Sequence, residues 1–165
     1  MQILKLTALA IVIGLLAGCN ATPTTTGMLT GKPYPPNPPL PITHCIDLIC
    51  KVNVSIVLVL PPNFSCSITV DPPILDLSGG PAIQTIEWTI TSPAIGKWPG
   101  PTDPYLPVQF EHNAQNVISN LAVSGNSVTV TYTRPSSGGH HYGYGLTTKH
   151  PLLGKFCDID PWVLD

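Results

Sequence analysis

Charge is scarce in this chain. Only 7 of 165 residues are Lys or Arg and 9 are Asp or Glu, so charged side chains make up 10%, against roughly 25% in an average soluble domain. The few cations form no cluster, which removes the electrostatic footprint of a nucleic-acid binder, and no nucleic-acid partner is expected. Methionine is nearly absent. Beyond the first residue there is only Met28, so a blue-copper centre of cysteine, two histidines and methionine lacks its usual axial ligand. No Gly-x-Ser-x-Gly elbow and no Cys-x-x-Cys spacing occurs, which removes the local signatures of an α/β-hydrolase nucleophile and of a zinc knuckle. No convincing helical period is present.

Proline and glycine are plentiful, at 20 and 14 residues, and there are five cysteines. Met1 to Lys5 carries one side-chain cation, Leu6 to Leu16 is an apolar run interrupted by Thr7 and Gly14, and small residues precede Cys19. A cationic start, an apolar centre and a small-residue boundary describe a secretory signal peptide. The run is shorter than the roughly 20 residues of a transmembrane helix. A plain secreted protein cleaved near Ala17-Gly18 and an uncleaved N-terminal anchor are the competing readings. Leu16-Ala17-Gly18-Cys19 resembles the lipobox of bacterial lipoproteins. The resemblance implies a diacylglyceryl thioether on Cys19, cleavage before it and acylation of the new amino terminus, palmitate being a typical chain. This covalent lipid is the only cofactor expected. Each buried CH₂ contributes about 0.8 kcal/mol, and two or three chains make release from a membrane rare. In that family an aspartate after the lipidated cysteine favours inner-membrane retention. Asn20 stands there, so the expected address is the periplasmic face of the outer membrane.

Three segments follow: a signal peptide over 1–18, a lipidated cysteine with a proline-rich linker over 19–41, and a folded domain over 42–165. Without Lys5 the mature chain has six cations against nine acids, a net charge of −3 with histidines neutral. If Cys19 carries lipid, Cys45, Cys50, Cys66 and Cys157 remain. An even number in an oxidising compartment suggests two disulfides. Three pairings are possible; Cys45–Cys50 with Cys66–Cys157 is preferred, since it closes one short loop and ties an early strand to the last one. The linker is dense in proline, which fixes φ and removes amide donors, so it favours an extended tether with an upper reach of roughly 65 Å. A docking site for a partner is the sharper alternative for it.

From Ile46 onward, runs rich in valine, isoleucine and threonine are broken by proline and glycine, the pattern of a β domain. Leu48, Cys50, Val52, Val54, Ile56, Leu58 and Leu60 share one face of a long strand. Cys66, Ile68 and Val70 share a face of the next, and Ile74 to Leu77 reads as a short edge-like strand. Gln84, Ile86, Trp88 and Ile90 alternate with polar residues, the period of a half-buried strand. Residues 92–107 form a long irregular loop. Short strands are expected over 108–112 and 117–123, a tight turn at Gly125-Asn126, and strands around Val128–Tyr132, Tyr142–Leu146 and in 155–164. Seven to nine short strands predict an all-β, antiparallel two-sheet sandwich of immunoglobulin-like type, with a closed barrel as the alternative. Ile68-Thr-Val-Asp-Pro-Pro-Ile-Leu-Asp-Leu, Ile86-Glu-Trp-Thr-Ile, Val108-Gln-Phe, Tyr142-Gly-Tyr-Gly-Leu and Asp160-Pro-Trp-Val-Leu resemble a pattern in small bacterial β-sandwich proteins. That resemblance supports the fold and implies no activity; the final position is Asp165 where the pattern has asparagine.

Candidate chemistry is sparse. His140, His141 and His150, with His112 or Asp158 in support, are the best metal candidates because imidazole suits copper, zinc and nickel. Ser136 and Ser137 lie near His140 in sequence, but a hydrolase also needs an orienting group and an oxyanion site. Asp158 and Asp160 share a strand face, as a solvated edge or a carboxylate pair. Trp98 and Tyr105, in the long loop, could form a platform for a ligand or partner, whereas Trp88 reads as core. The leading expectation is a non-enzymatic, membrane-anchored binding or scaffolding protein with an envelope protein as partner. The alternative is a periplasmic metal-binding lipoprotein using the histidines.

Overall fold

A computed structural model describes residues 39–59, 65–111, 114–159 and 162–164. Among these residues there are eleven strands and no α-helix, and no helix long and apolar enough to cross a membrane. The strands are β1 (Ile42–His44), β2 (Ile49–Val59), β3 (Ser65–Asp71), β4 (Ile74–Asp76), β5 (Ile83–Ile90), β6 (Val108–Phe110), β7 (Ile118–Ser124), β8 (Ser127–Thr133), β9 (His141–Lys149), β10 (Phe156–Ile159) and β11 (Trp162–Leu164). One five-stranded sheet has the order β3-β2-β5-β8-β7; the other runs β1-β4-β11-β9, with β10 and β6 also paired to β9.

The two sheets face each other across one core, as alternation dictates. In β5 every second side chain, from Gln84 through Ile86 and Trp88 to Ile90, is buried, while Thr85, Glu87 and Thr89 are only partly covered. β8 repeats this with Val128, Val130 and Tyr132 inward, and β2 with Cys50, Val52, Val54 and Ile56. The second sheet answers with Leu75, Val163, Tyr142, Tyr144 and Leu146. Trp88 is the centre of the contact: its ring meets Phe110 at 6.1 Å and Tyr144 at 5.3 Å between centroids.

The all-β two-sheet sandwich expected from the sequence is present, with sheets that are mixed where antiparallel ones were expected. β2 pairs β5 in parallel, and β4 pairs both β1 and β11 in parallel. The reason is a change of sheet. The chain leaves β3 through Asp71-Pro72-Pro73, whose first X-Pro bond is cis, and enters β4 in the opposite layer before returning to β5 beside β2. A parallel pair needs such a crossover, and here strands of the second sheet supply it. β4 is also not an edge strand, since β1 and β11 flank it. Pro72 and Pro73 precede its ladder and take no donor from it.

Both disulfides of the preferred pairing are present. Cys45–Cys50 closes a short loop between β1 and β2, and Cys66–Cys157 joins β3 of one sheet to β10 of the other. Leu48 stands exposed ahead of β2 instead of continuing its inward face, because the disulfide loop turns the chain there. Leu60 lies outside the described residues.

Candidate functional site

The sheet registers give the domain two ends, and the chemistry-bearing residues divide between them. β11 runs antiparallel to β9, with Leu164 opposite His141 and Trp162 opposite Gly143. β4 and β1 follow β11 in parallel, so His44, Asp76, Leu164 and His141 stand in one row at the first end. β9 then runs to Lys149, where the β9–β10 hairpin turns at the second end.

At the first end, Cys45–Cys50 sets a loop whose carbonyls point at Gln84. The fully buried Gln84 amide nitrogen donates to the carbonyls of Cys45 at 3.2 Å and Asp47 at 2.9 Å. An amide has two N–H donors, so both are used, while the buried oxygen Oε1 has no hydrogen-bond partner among the described residues. A Cβ added to Gly80 would lie 2.2 Å from Gln84 Nε2 and 2.8 Å from the Cys45 carbonyl oxygen. Gly80 is thus the residue that lets the turn after β4 approach this lock. His44 Nδ1 meets Asp76 Oδ2 at 2.6 Å, and the Ser78 amide donates to the other oxygen at 2.9 Å. Burial opposes ionisation of Asp76, but the Ser78 hydrogen bonds and His44 outweigh it and hold its carboxyl below the ordinary value. Sequence reading passed over this cluster because Gln84 looks like one more member of an apolar alternation.

His140 and His141 also belong to the first end. His140 Nε2 shares a hydrogen bond with Ser137 Oγ at 3.0 Å, and its ring leans on Tyr142. The serine–histidine contact is therefore real but local, within an exposed loop. No carboxylate makes an ion pair with His140 among the described residues, so the orienting member of a triad is not supplied. His150 stands past the far end of β9. Nine residues of strand at about 3.4 Å each put roughly 30 Å between His141 and His150. The three-histidine site expected from the sequence is corrected on this ground: one chain cannot bring His140, His141 and His150 to a shared ion. Among the described residues no group of three His, Cys, Asp or Glu side chains is arranged to hold a metal. Spacing in sequence suggested a cluster, and an extended strand separates it. His150 has another task. Its Nδ1 accepts the amides of Leu152 at 3.3 Å and Leu153 at 3.1 Å, which requires the neutral tautomer with hydrogen on Nε2.

At the second end the long loop of residues 91–107 folds back onto the sandwich. Trp98 is buried and donates its indole N–H to the Asn126 carbonyl at 2.8 Å, while the Asn126 side chain donates to the Ile90 carbonyl. The platform of Trp98 and Tyr105 is corrected accordingly: Trp98 is a loop anchor, and only Tyr105 remains half exposed, edge-on to Phe156 at 4.8 Å. Lys149 pairs with Asp103 and lies over the Phe156 ring. The Lys149 hydrogen bond first, and then the Gly100 amide, hold the Asp103 carboxyl below its ordinary value. In the core between the ends, Trp88 Nε1 donates to the Tyr144 hydroxyl at 3.2 Å, and burial pushes the Tyr144 phenol up. Asp158 is exposed on β10. Cys19, Met28, His112 and Asp160, with the side chain of Trp162, lie outside the described residues.

No family model matches the chain, and no curated protein matches it. The site is therefore defined by its own geometry: a disulfide-locked end around Gln84 and a hairpin end around Lys149.

Proposed function

We propose that this protein is a lipid-anchored component of the bacterial cell envelope, whose β-sandwich binds or scaffolds another envelope protein without catalysing a reaction. The observation that carries the reading is the cysteine count. Of five cysteines, four are joined in two intramolecular disulfides, and the fifth is Cys19 of Leu16-Ala17-Gly18-Cys19. Disulfides are characteristic of oxidising compartments such as the periplasm, which agrees with an exported, acylated chain. The low charge and the proline-rich segment before β1 suit a domain held at a distance from its membrane. The periplasmic face of the outer membrane is the proposed address, from Asn20.

The test is direct. Intact mass and metabolic labelling with a fatty-acid probe should show lipid on the wild-type chain and none on Cys19→Ser, and the variant should leave the membrane fraction. Unchanged mass and unchanged fractionation would overturn the anchor. Crosslinking in cells should then recover a specific envelope protein; capture of abundant neighbours alone counts against scaffolding.

A further inference from the structure

The β9–β10 hairpin is built to hold leucine out in solvent. Lys149 opposite Phe156 is its last ladder pair, and His150 N–H donates to the Lys155 carbonyl at 2.8 Å. The His150 ring takes the amides of both leucines, and Gly154, at φ +64°, closes the turn in the left-handed region that glycine adopts without strain. The product is an apex of Pro151, Leu152 and Leu153 in which Leu152 is 89% exposed. A leucine this exposed at a hydrogen-bonded turn gains nothing for the fold. Beside it, Leu106 is 59% exposed next to the half-exposed Tyr105, and the Tyr105–Phe156 and Asp103–Lys149 contacts fasten that loop to the hairpin's base.

Charge and chain direction say what covers these side chains. Residues 149–155 contain two lysines and no acid, and the backbone of Lys97 bridges Lys149. Three of the five described cations thus sit at this end, with Asp103 and Asp158, while Asp47, Asp76 and Glu111 lie toward the other. β1 is parallel to β4 and β11 and therefore antiparallel to β9, starting at the level of Gly143. β1 consequently points away from the hairpin, and its first residue faces the side to which β9 runs. Residues 39–41 therefore enter β1 from the hairpin's side of Gly143.

We infer that the β9–β10 tip, with Leu106 and Tyr105 beside it, is a membrane-contacting finger that inserts Leu152 and Leu153 into an anionic lipid surface. The inference rests on the lipid-anchor reading for which membrane is met. Apolar side chains enter the acyl boundary while lysines remain at the headgroups, the division used by interfacial segments. The anchor limits departure, and the finger sets orientation: the sandwich stands on its hairpin end, leaving the disulfide-locked end and the hydroxyl-rich outer face of the five-stranded sheet toward the periplasm.

The experiment uses the full chain on vesicles of phosphatidylcholine with and without phosphatidylglycerol. An environment-sensitive fluorophore is placed at Leu152→Cys, at Leu106→Cys, or at Thr129→Cys on the outer sheet face, and quenchers are attached to lipid acyl chains. The labels at 152 and 106 should shift to the blue and be quenched, and the label at 129 should not. With three lysines against two aspartates at this end, phosphatidylglycerol should raise the membrane partition coefficient about fivefold, the effect of one net cation, and Lys155→Glu should abolish that gain. A label at 152 as wet as that at 129 on phosphatidylglycerol vesicles overturns the finger. Intact mass reports the lipid separately. Lipid on Cys19 with a wet tip refutes the finger and leaves the anchor, whereas an immersed tip on a chain without lipid supports the finger and refutes the anchor.

Discussion

The two disulfides differ in the length of chain they close, and this sets their contributions apart. Cys66–Cys157 spans 91 residues and Cys45–Cys50 spans 5. With the loop-closure relation, the long bridge contributes about 4.6 kcal/mol and the short one about 2 kcal/mol at 25 °C. Replacing Cys66 and Cys157 together by alanine should therefore cost about 2.5 kcal/mol more than replacing Cys45 and Cys50 together. Paired substitutions avoid a lone thiol that could mispair, and alanine avoids a buried hydroxyl. The long bridge also couples the layers, because β3 belongs to one sheet and β10 to the other. Its loss should lower Tm by on the order of 15 °C. Guanidinium unfolding followed by fluorescence of the buried Trp88 measures both variants, and the long-bridge variant should show the larger m-value, because its unfolded chain expands further. Equal losses from the two pairs, or a larger loss from the short one, would refute the entropic account. The stabilisation would then lie in native packing around Gln84 and the 45–50 loop.

Two further outcomes follow from the polar contacts. Tyr144→Phe removes the hydroxyl that receives the Trp88 indole N–H and leaves a buried donor unpaired, so it should cost about 1–3 kcal/mol in equilibrium unfolding; a change below about 0.5 kcal/mol would mean that water or a rotated indole satisfies the donor. Asp76 is held below its ordinary value of 3.8 in the folded chain, so it adds stability that is fully present above the unfolded value and is lost as pH falls through the lowered folded one. Denaturation midpoints taken from about pH 6 down to about pH 3 should fall more steeply for the wild type than for Asp76→Asn, and parallel curves would contradict the assignment.

Period-2 alternation made much of the fold legible. The buried faces of β2, β5 and β8 are those that alternation marks, from Cys50 to Ile56, Gln84 to Ile90 and Val128 to Tyr132. The preferred cysteine pairing is the one formed. Strand direction was not legible, because alternation reports which face a side chain takes and says nothing of its neighbour. Three-residue strands such as β1 and β4 carry too little pattern to place, and the change of sheet after Asp71 depends on long-range pairing. The candidate sites failed for related reasons. His141 and His150 are near in sequence but lie at opposite ends of β9, and Trp98 faces the core from a loop that reads as irregular. Leu152 and Leu153 carry no signal within a turn, because the His150 ring that accepts their amides is a contact only the fold reveals.

A chain with so little charge must protect its sheet edges by other means, since lysine on an edge strand is the commonest defence against pairing with another chain. β7 ends the five-stranded sheet with no charged residue. Its defence is an irregularity between Ser119 and Ala122, with Asn120 at φ +54°, which interrupts the ladder that an incoming strand would have to match. On the opposite edge β3 is held by the Cys66–Cys157 bridge, and in the second sheet β1 and β6 are only three residues long. The outer face of the larger sheet follows the same rule. Its hydroxyls bond to one another, Ser55 to Thr91 at 3.0 Å and Thr89 to Ser127 at 2.9 Å, so polarity is met by short side chains within the sheet. The lysines that remain are concentrated at the hairpin end. The hairpin end combines exposed Leu152 and Leu153 with Lys97, Lys149 and Lys155, whereas the exposed Ile46, Leu48, Ile49 and Ile83 stand at the disulfide-locked end.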